Sequence, residues 1–103
     1  NRLCKLREYG TIKEKGEYFA YLINDNSMNQ KGIYQNDVAI LKKNNKANSN
    51  DIILAEYNNI INLKEYFKDK EDLTLKDDIE SITTKDNEIS VIGKVVGLYR
   101  NYD

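Results

Sequence analysis

Five short apolar runs, each separated from the next by asparagine- and aspartate-rich breaks, limit the folds open to this chain more than any other feature. They are Glu17–Ile23 (EYFAYLI), Val38–Lys42 (VAILK), Asp51–Tyr57 (DIILAEY), Ile60–Phe67 (IINLKEYF) and Glu88–Tyr99 (EISVIGKVVGLY). Branched and aromatic residues dominate them, and none shows sustained helical spacing, so each reads as a strand. The breaks are Gln35–Asp37, Asn44–Asn50, Asn58-Asn59, Asp69–Asp72 and Lys85–Asn87. Asn and Asp suit turns because their side chains bond nearby backbone and tolerate left-handed conformations. Asn58-Asn59 predicts a tight hairpin between two of the strands. The pattern as a whole predicts a mostly β, compact domain of barrel or sandwich type. A brief helical turn is expected after Ser27, with Ser27 as its cap. Gly93 and Gly97 inside the last run mark a bend, a bulge or a close approach of another backbone. The first eight residues read as a strand or tail without a motif.

At 103 residues the chain is one domain, residues 1–103, with a single modest core. Charged residues make up 32% of it, yet the formal net charge is only −1. That balance offers no general attraction to nucleic acid or to an anionic membrane surface. No apolar run approaches the roughly 20 residues of a membrane span, and no signal peptide opens the sequence. One cysteine, Cys4, excludes an internal disulfide and fits a reducing, cytoplasmic compartment. With no histidine and one cysteine, a transition-metal site is not expected, and nothing calls for a cofactor.

The missing histidine also limits nucleophilic chemistry, because a Ser-His-Asp triad is unavailable. A serine hydroxyl needs a neighbouring base. Lysine can serve only where burial lowers its pKa from the ordinary value near ~10.4. A lysine base therefore belongs in an apolar strand. Lys64 fits, with Ile60, Ile61 and Leu63 before it and Tyr66 and Phe67 after it. Lys94, within VIGKVVG, is the competitor. Ser27, 37 residues before Lys64, follows a strand and begins a turn. Its backbone N–H could face a developing oxyanion. Taken singly, such a serine is usually a turn residue and such a lysine usually reaches out to water.

The segment YLINDNSMNQKGIYQNDVAILKK resembles the catalytic segment of the LexA-type self-cleaving repressors. That family carries a strand, a Gly-x-Ser-Met motif, a Gly-Ile pair and a Gly-Asp before the next strand. Here Ser27-Met28 and Gly32-Ile33 stand in those places, with Asn36-Asp37 where Gly-Asp is usual and Asp25 where the motif glycine is usual. The family's apolar-x-apolar-Lys strand is matched by Ile61-Asn62-Leu63-Lys64, and VIGKVVGLYRN resembles its closing strand. The likeness covers roughly residues 17 to 101.

The resemblance implies a LexA/signal-peptidase-like β domain with Ser27 as nucleophile and Lys64 as general base. It implies cleavage of one peptide bond upstream in the same polypeptide, which relieves repression by severing a DNA-binding helix-turn-helix domain. It also implies a homodimer, in which the last strand commonly takes part, and stimulation by a RecA filament. Operator DNA would be bound through the upstream domain, not by these residues. No helix-turn-helix pattern and no Ala-Gly or Cys-Gly pair of the usual scissile type is present, so a fragment of a larger repressor is expected. The second reading keeps the fold without the chemistry: a decayed regulatory or dimerisation module. A signal-peptidase-like enzyme would share the Ser-Met and lysine strand but would need a membrane segment. A nucleic-acid-binding barrel would use the tyrosines, yet Tyr18, Tyr21, Tyr57 and Tyr66 fall within apolar strands, where core or interface roles are commoner.

Overall fold

In the computed structural model, which describes residues 3–6 as backbone and residues 16–102, eight strands form one antiparallel sheet. They are β1 (Leu3–Leu6), β2 (Tyr18–Leu22), β3 (Val38–Lys43), β4 (Ile52–Tyr57), β5 (Ile60–Asp69), β6 (Asp72–Lys76), β7 (Ser81–Lys85) and β8 (Ile89–Tyr99). Their order across the sheet is β1-β2-β3-β8-β4-β5-β6-β7. The chain's last strand thus lies in the middle, between β3 and β4, and joins a three-stranded N-terminal portion to a two-hairpin portion. All five predicted runs are strands, within a residue or two at their ends.

Turn chemistry accounts for the local connections. Asn58 and Asn59 both have positive φ, +52° and +64°, as the two-residue hairpin between β4 and β5 requires. Asn36, where a glycine would be usual, sits at φ +76°, a conformation Asn tolerates better than most residues. The β5–β6 turn places Lys70 at φ +58°.

Two strands lay hidden in the charged stretch after Phe67. Strand β6 alternates in and out, with Leu73 and Leu75 buried between exposed Asp72 and Lys76. Only two apolar residues carry that period, so the run is too polar to stand out. It forms because β5 extends to Asp69 and offers Glu65–Asp69 as a pairing edge. Strand β7 then pairs with β6.

Along β5, neighbouring residues serve opposite faces. Leu63 packs with Ile23, Met28, Ile33, Ala39, Leu41 and Leu54 in one apolar cluster. Tyr66 packs with Ile53, Ala55, Leu73 and Leu75 in the other. Strand β8 reaches both because it is bulged twice. Ile40 and Leu41 face Gly97 and Val95, leaving Val96 extra, and Leu54 and Ala55 face Gly93 and Val91, leaving Ile92 extra. Such bulges bend a strand and increase its twist. At Gly93 an added Cβ would lie 2.9 Å from the Lys42 carbonyl oxygen. The two glycines thus mark bulges, and Gly93 a close backbone approach as well.

Candidate active site

Ser27 lies in the turn that follows β2, and the local sequence builds that turn around two aspartates. The Asn36 N–H donates to the Ile23 carbonyl and the Ile23 N–H to the Asp37 carbonyl, closing the segment into a loop. Inside it a single 3₁₀ turn, Asn29–Lys31, ends at Gly32 with φ +78°. The expected helical turn is therefore present, but Ser27 does not cap it. The capping position is Met28, which makes no side-chain cap bond. The Ser27 hydroxyl instead donates to Asp25 Oδ1 at 2.8 Å. The Ser27 N–H donates to the same oxygen at 3.1 Å. Asp25 thus engages the group expected to attack and the amide expected to face an oxyanion. Its backbone does not adopt the left-handed region, so aspartate stands there without the conformational penalty that replacing a positive-φ glycine would bring.

Asp37 anchors the other end of the loop. Its carboxylate accepts from the Tyr34 N–H at 2.8 Å, from Arg100 Nε at 2.7 Å and from Arg100 Nη2 at 2.6 Å. Arg100 also donates to the Gly32 carbonyl and lies 5.0 Å from the Tyr34 ring centroid. The Arg100 hydrogen bonds hold the Asp37 carboxyl below the usual carboxylate range, outweighing the upward push of burial. This two-point clasp joins the residue after β8 to Asp37, 63 positions earlier, at the end of the loop that carries Ser27.

Lys64 is 4% exposed. It lies beside Ile53 in the β4–β5 register and lines a cleft of about 200 Å³ with Ala55, Leu75, Glu80 and Ile82. Lys94 is different: half-exposed, it pairs with Asp51 at 3.2 Å. Of the two candidate lysines, Lys64 alone is buried.

Burial does not leave Lys64 uncharged. Its Nζ donates to Asp77 Oδ2 at 2.5 Å and to Glu80 Oε2 at 2.9 Å. Burial by itself pulls the ammonium's pKa down, but hydrogen bonds and charge from these two carboxylates outweigh it, and the result lies above the ordinary lysine value. The side chain of Asp77 is shielded as well, 5% exposed. Desolvation pushes its pKa up, but Lys64 and the N–H groups of Glu80 and Ile79 bring it below the usual carboxylate value. Its other oxygen, Oδ1, accepts from those two amides at 2.9 and 2.8 Å.

Asp77–Glu80 form the β6–β7 turn, and that turn joins the two candidates. Asp77 holds Lys64, while the N–H of the next residue, Asp78, donates to the Ser27 carbonyl at 2.8 Å. Asp78 also accepts from the Gln30 N–H at 3.0 Å. A further tie runs from Lys31, in the 3₁₀ turn, to Glu65 at 3.0 Å. Ser27 and Lys64 are thus brought to two sides of one turn. The single hydroxyl proton of Ser27 is directed at Asp25, and the Lys64 ammonium at Asp77 and Glu80.

Asp77 and Glu80 were missed in the sequence, where they lie in a charged run that carries no motif. A buried lysine needs a partner, and that requirement was the available signal, but seven carboxylates between Glu65 and Glu80 gave no means of choosing. Tyr9-Gly10, too bulky to read as a scissile pair of the usual type, lies outside the described residues.

Comparison with known proteins identifies the family. The family profile for peptidase S24-like proteins matches residues 5–96. The chain belongs to that family. It is similar to the LexA repressor of Clostridium acetobutylicum, 36% identical over 93 residues, covering 88% of this chain and 45% of that protein. It is likewise 37% identical over 94 residues to the LexA repressor of Clostridium tetani, covering 88% of this chain and 46% of that protein. The LexA repressor of Clostridium novyi is 31% identical over 94 residues, with the same two coverages. The S24-like chain therefore spans just under half the length of these relatives. Among its described residues, no helix is long and apolar enough to cross a membrane.

Proposed function

We propose that this S24-like chain is the self-cleavage and dimerisation domain of a LexA-like transcriptional repressor, with Ser27 as nucleophile and Lys64 as base. The observation that carries the reading is the burial of Lys64 in an apolar strand, next to the same turn that binds the Ser27 carbonyl. Deprotonated Lys64 would take the Ser27 proton as Oγ attacks the carbonyl carbon of an upstream peptide bond. The leaving amine would accept that proton from Lys64, leaving an ester on Ser27 that water then hydrolyses. The Ser27 N–H would serve the oxyanion once Asp25 releases it. Cleavage would separate this domain from a DNA-binding portion, and RecA filaments are the expected stimulant.

Dimerisation draws support from the end of β8. Val95–Tyr99 pairs with β3 on one edge and with no described strand on the other. Val96, Leu98 and Tyr99 are exposed there, with Leu22 of β2. That apolar surface and open edge suit a second copy of the chain.

A second reading, a regulatory and dimerisation module without peptidase activity, is favoured by the carboxylates. Asp25 takes both donors of Ser27, and Asp77 and Glu80 take the Lys64 ammonium. The test is intact-mass analysis of the longer polypeptide that supplies the upstream segment, after incubation at about pH 7 and about pH 10. Cleavage that accelerates with pH and disappears in Ser27→Ala supports the dyad. A chain that stays whole at both values, and with RecA filaments present, supports the inactive module.

A further inference from the structure

The β6–β7 turn has more hold on the candidate dyad than a connector requires. Within four residues it makes two ionic contacts to Lys64, one backbone bond to the Ser27 carbonyl and one side-chain bond to the Gln30 amide. Asp77 is divided between two tasks. One oxygen shapes the turn through the Ile79 and Glu80 amides, and the other pairs with Lys64. Glu80 is half-exposed, and its carboxylate lines the cleft beside Lys64.

We propose that this turn is a brake on the dyad: Asp77 and Glu80 are positioning residues that pair with the Lys64 ammonium, and Lys64 becomes a base only where that pairing is broken. The proposal rests on the self-cleaving reading above and names the groups that regulate it. The other charged groups around Lys64 are engaged elsewhere. Glu65, next along β5, pairs with Lys31. Asp78 accepts from Gln30, and Asp25 from Ser27. Lys94 on β8, which shares the Ile53 register position with Lys64, pairs with Asp51. Tyr57 of β4 lines the same cleft. Asp77 and Glu80 are therefore the anions whose removal acts on Lys64 directly. An upstream segment entering the cleft beside Glu80 would compete for the same space and could displace its carboxylate, coupling substrate entry to release of the base.

The experiment compares the parent protein with Asp77→Asn/Glu80→Gln, and with Glu80→Gln alone. Asparagine retains an oxygen for the two turn amides, and the single variant alters only a half-exposed side chain, so at least one variant keeps the fold. Two quantities are read: the NMR titration of the Lys64 side chain, and the pH–rate profile of self-cleavage in the longer polypeptide. The expected result is a Lys64 midpoint lower by about one unit or more in the double variant, with a smaller shift in the single variant. The alkaline limb of the rate profile moves down with it, and cleavage near pH 7 rises about tenfold, the rate equivalent of one unit. An unchanged Lys64 midpoint overturns the brake. So does an unmoved rate profile in a parent protein that cleaves at pH 10, and that result leaves the self-cleaving reading standing. No cleavage at pH 10 by the parent or by either variant, with RecA filaments present, overturns both.

Discussion

Asp25 Oδ1 accepts both the backbone N–H and the hydroxyl of Ser27, at 3.1 and 2.8 Å. A single carboxylate oxygen thus sits where the S24-like site would need an empty amide and a free nucleophile. Glycine, the usual residue at this place in the resemblance noted above, has no side chain to do this.

Replacing Asp25 with glycine removes that oxygen. A hydrogen bond to a charged group contributes about 1.5–3 kcal/mol, so freeing the serine is worth about tenfold or more in rate. Asp25→Gly in the longer polypeptide is expected to shorten the half-life of the uncut chain by that factor at fixed pH, read by intact mass. An unchanged half-life would show that Asp25 does not restrain Ser27.

Lys64→Ala, the obvious test of the dyad, is expected to damage the fold as well. It leaves the shielded Asp77 side chain without its cation, and removing one partner of a buried pair typically costs about 3–5 kcal/mol. Lys64→Met combined with Asp77→Asn removes both charges and should recover most of that loss. Urea unfolding of the two variants checks this: equal midpoints would mean that the ion pair is not a structural constraint.

Stability should fall at both ends of the pH scale, for opposite reasons. The folded pKa values of Asp37 and Asp77 are depressed, so their contribution is present above the unfolded value near ~3.9 and is lost as pH falls through the folded values. The folded pKa of Lys64 is raised, so its contribution is complete below the unfolded value near ~10.4 and is lost as pH rises through the folded one. Denaturant midpoints measured from about pH 2 to about pH 12 should trace a plateau with two falling limbs. Asp37→Asn should flatten the acid limb.

The two glycines of β8 are expected to differ. At Gly93 a Cβ would stand 2.9 Å from a backbone carbonyl oxygen of β3, which has little room to yield. At Gly97 its nearest neighbour would be the Ile40 side chain at 3.6 Å, an ordinary contact. Gly93→Ala should destabilise by about 1–3 kcal/mol, the usual cost of overpacking, and Gly97→Ala by much less. Similar melting temperatures for the two would contradict the close β3–β8 approach.

Local chemistry was legible along much of the chain. Branched and aromatic runs marked β2, β3, β4, β5 and β8, and Asn58-Asn59 and Asn36 marked left-handed turns, because conformational preference is a property of a few adjacent residues. The same holds for Ser27 and Lys64, whose local contexts singled them out and whose order and spacing resemble the LexA-type pattern. Tertiary structure decided everything that depended on which distant segments meet. Strand β6 exists because β5 offers it an edge, since so weak an alternation needs a neighbour. Arg100 finds Asp37 across 63 positions because β8 enters the middle of the sheet beside β3. Above all, burying Lys64 called for a counter-charge, and only the folding back of the β6–β7 turn selected Asp77 and Glu80 from the many carboxylates nearby. Coulomb attraction and desolvation depend on distance and burial in three dimensions, and neither is written in the order of the residues.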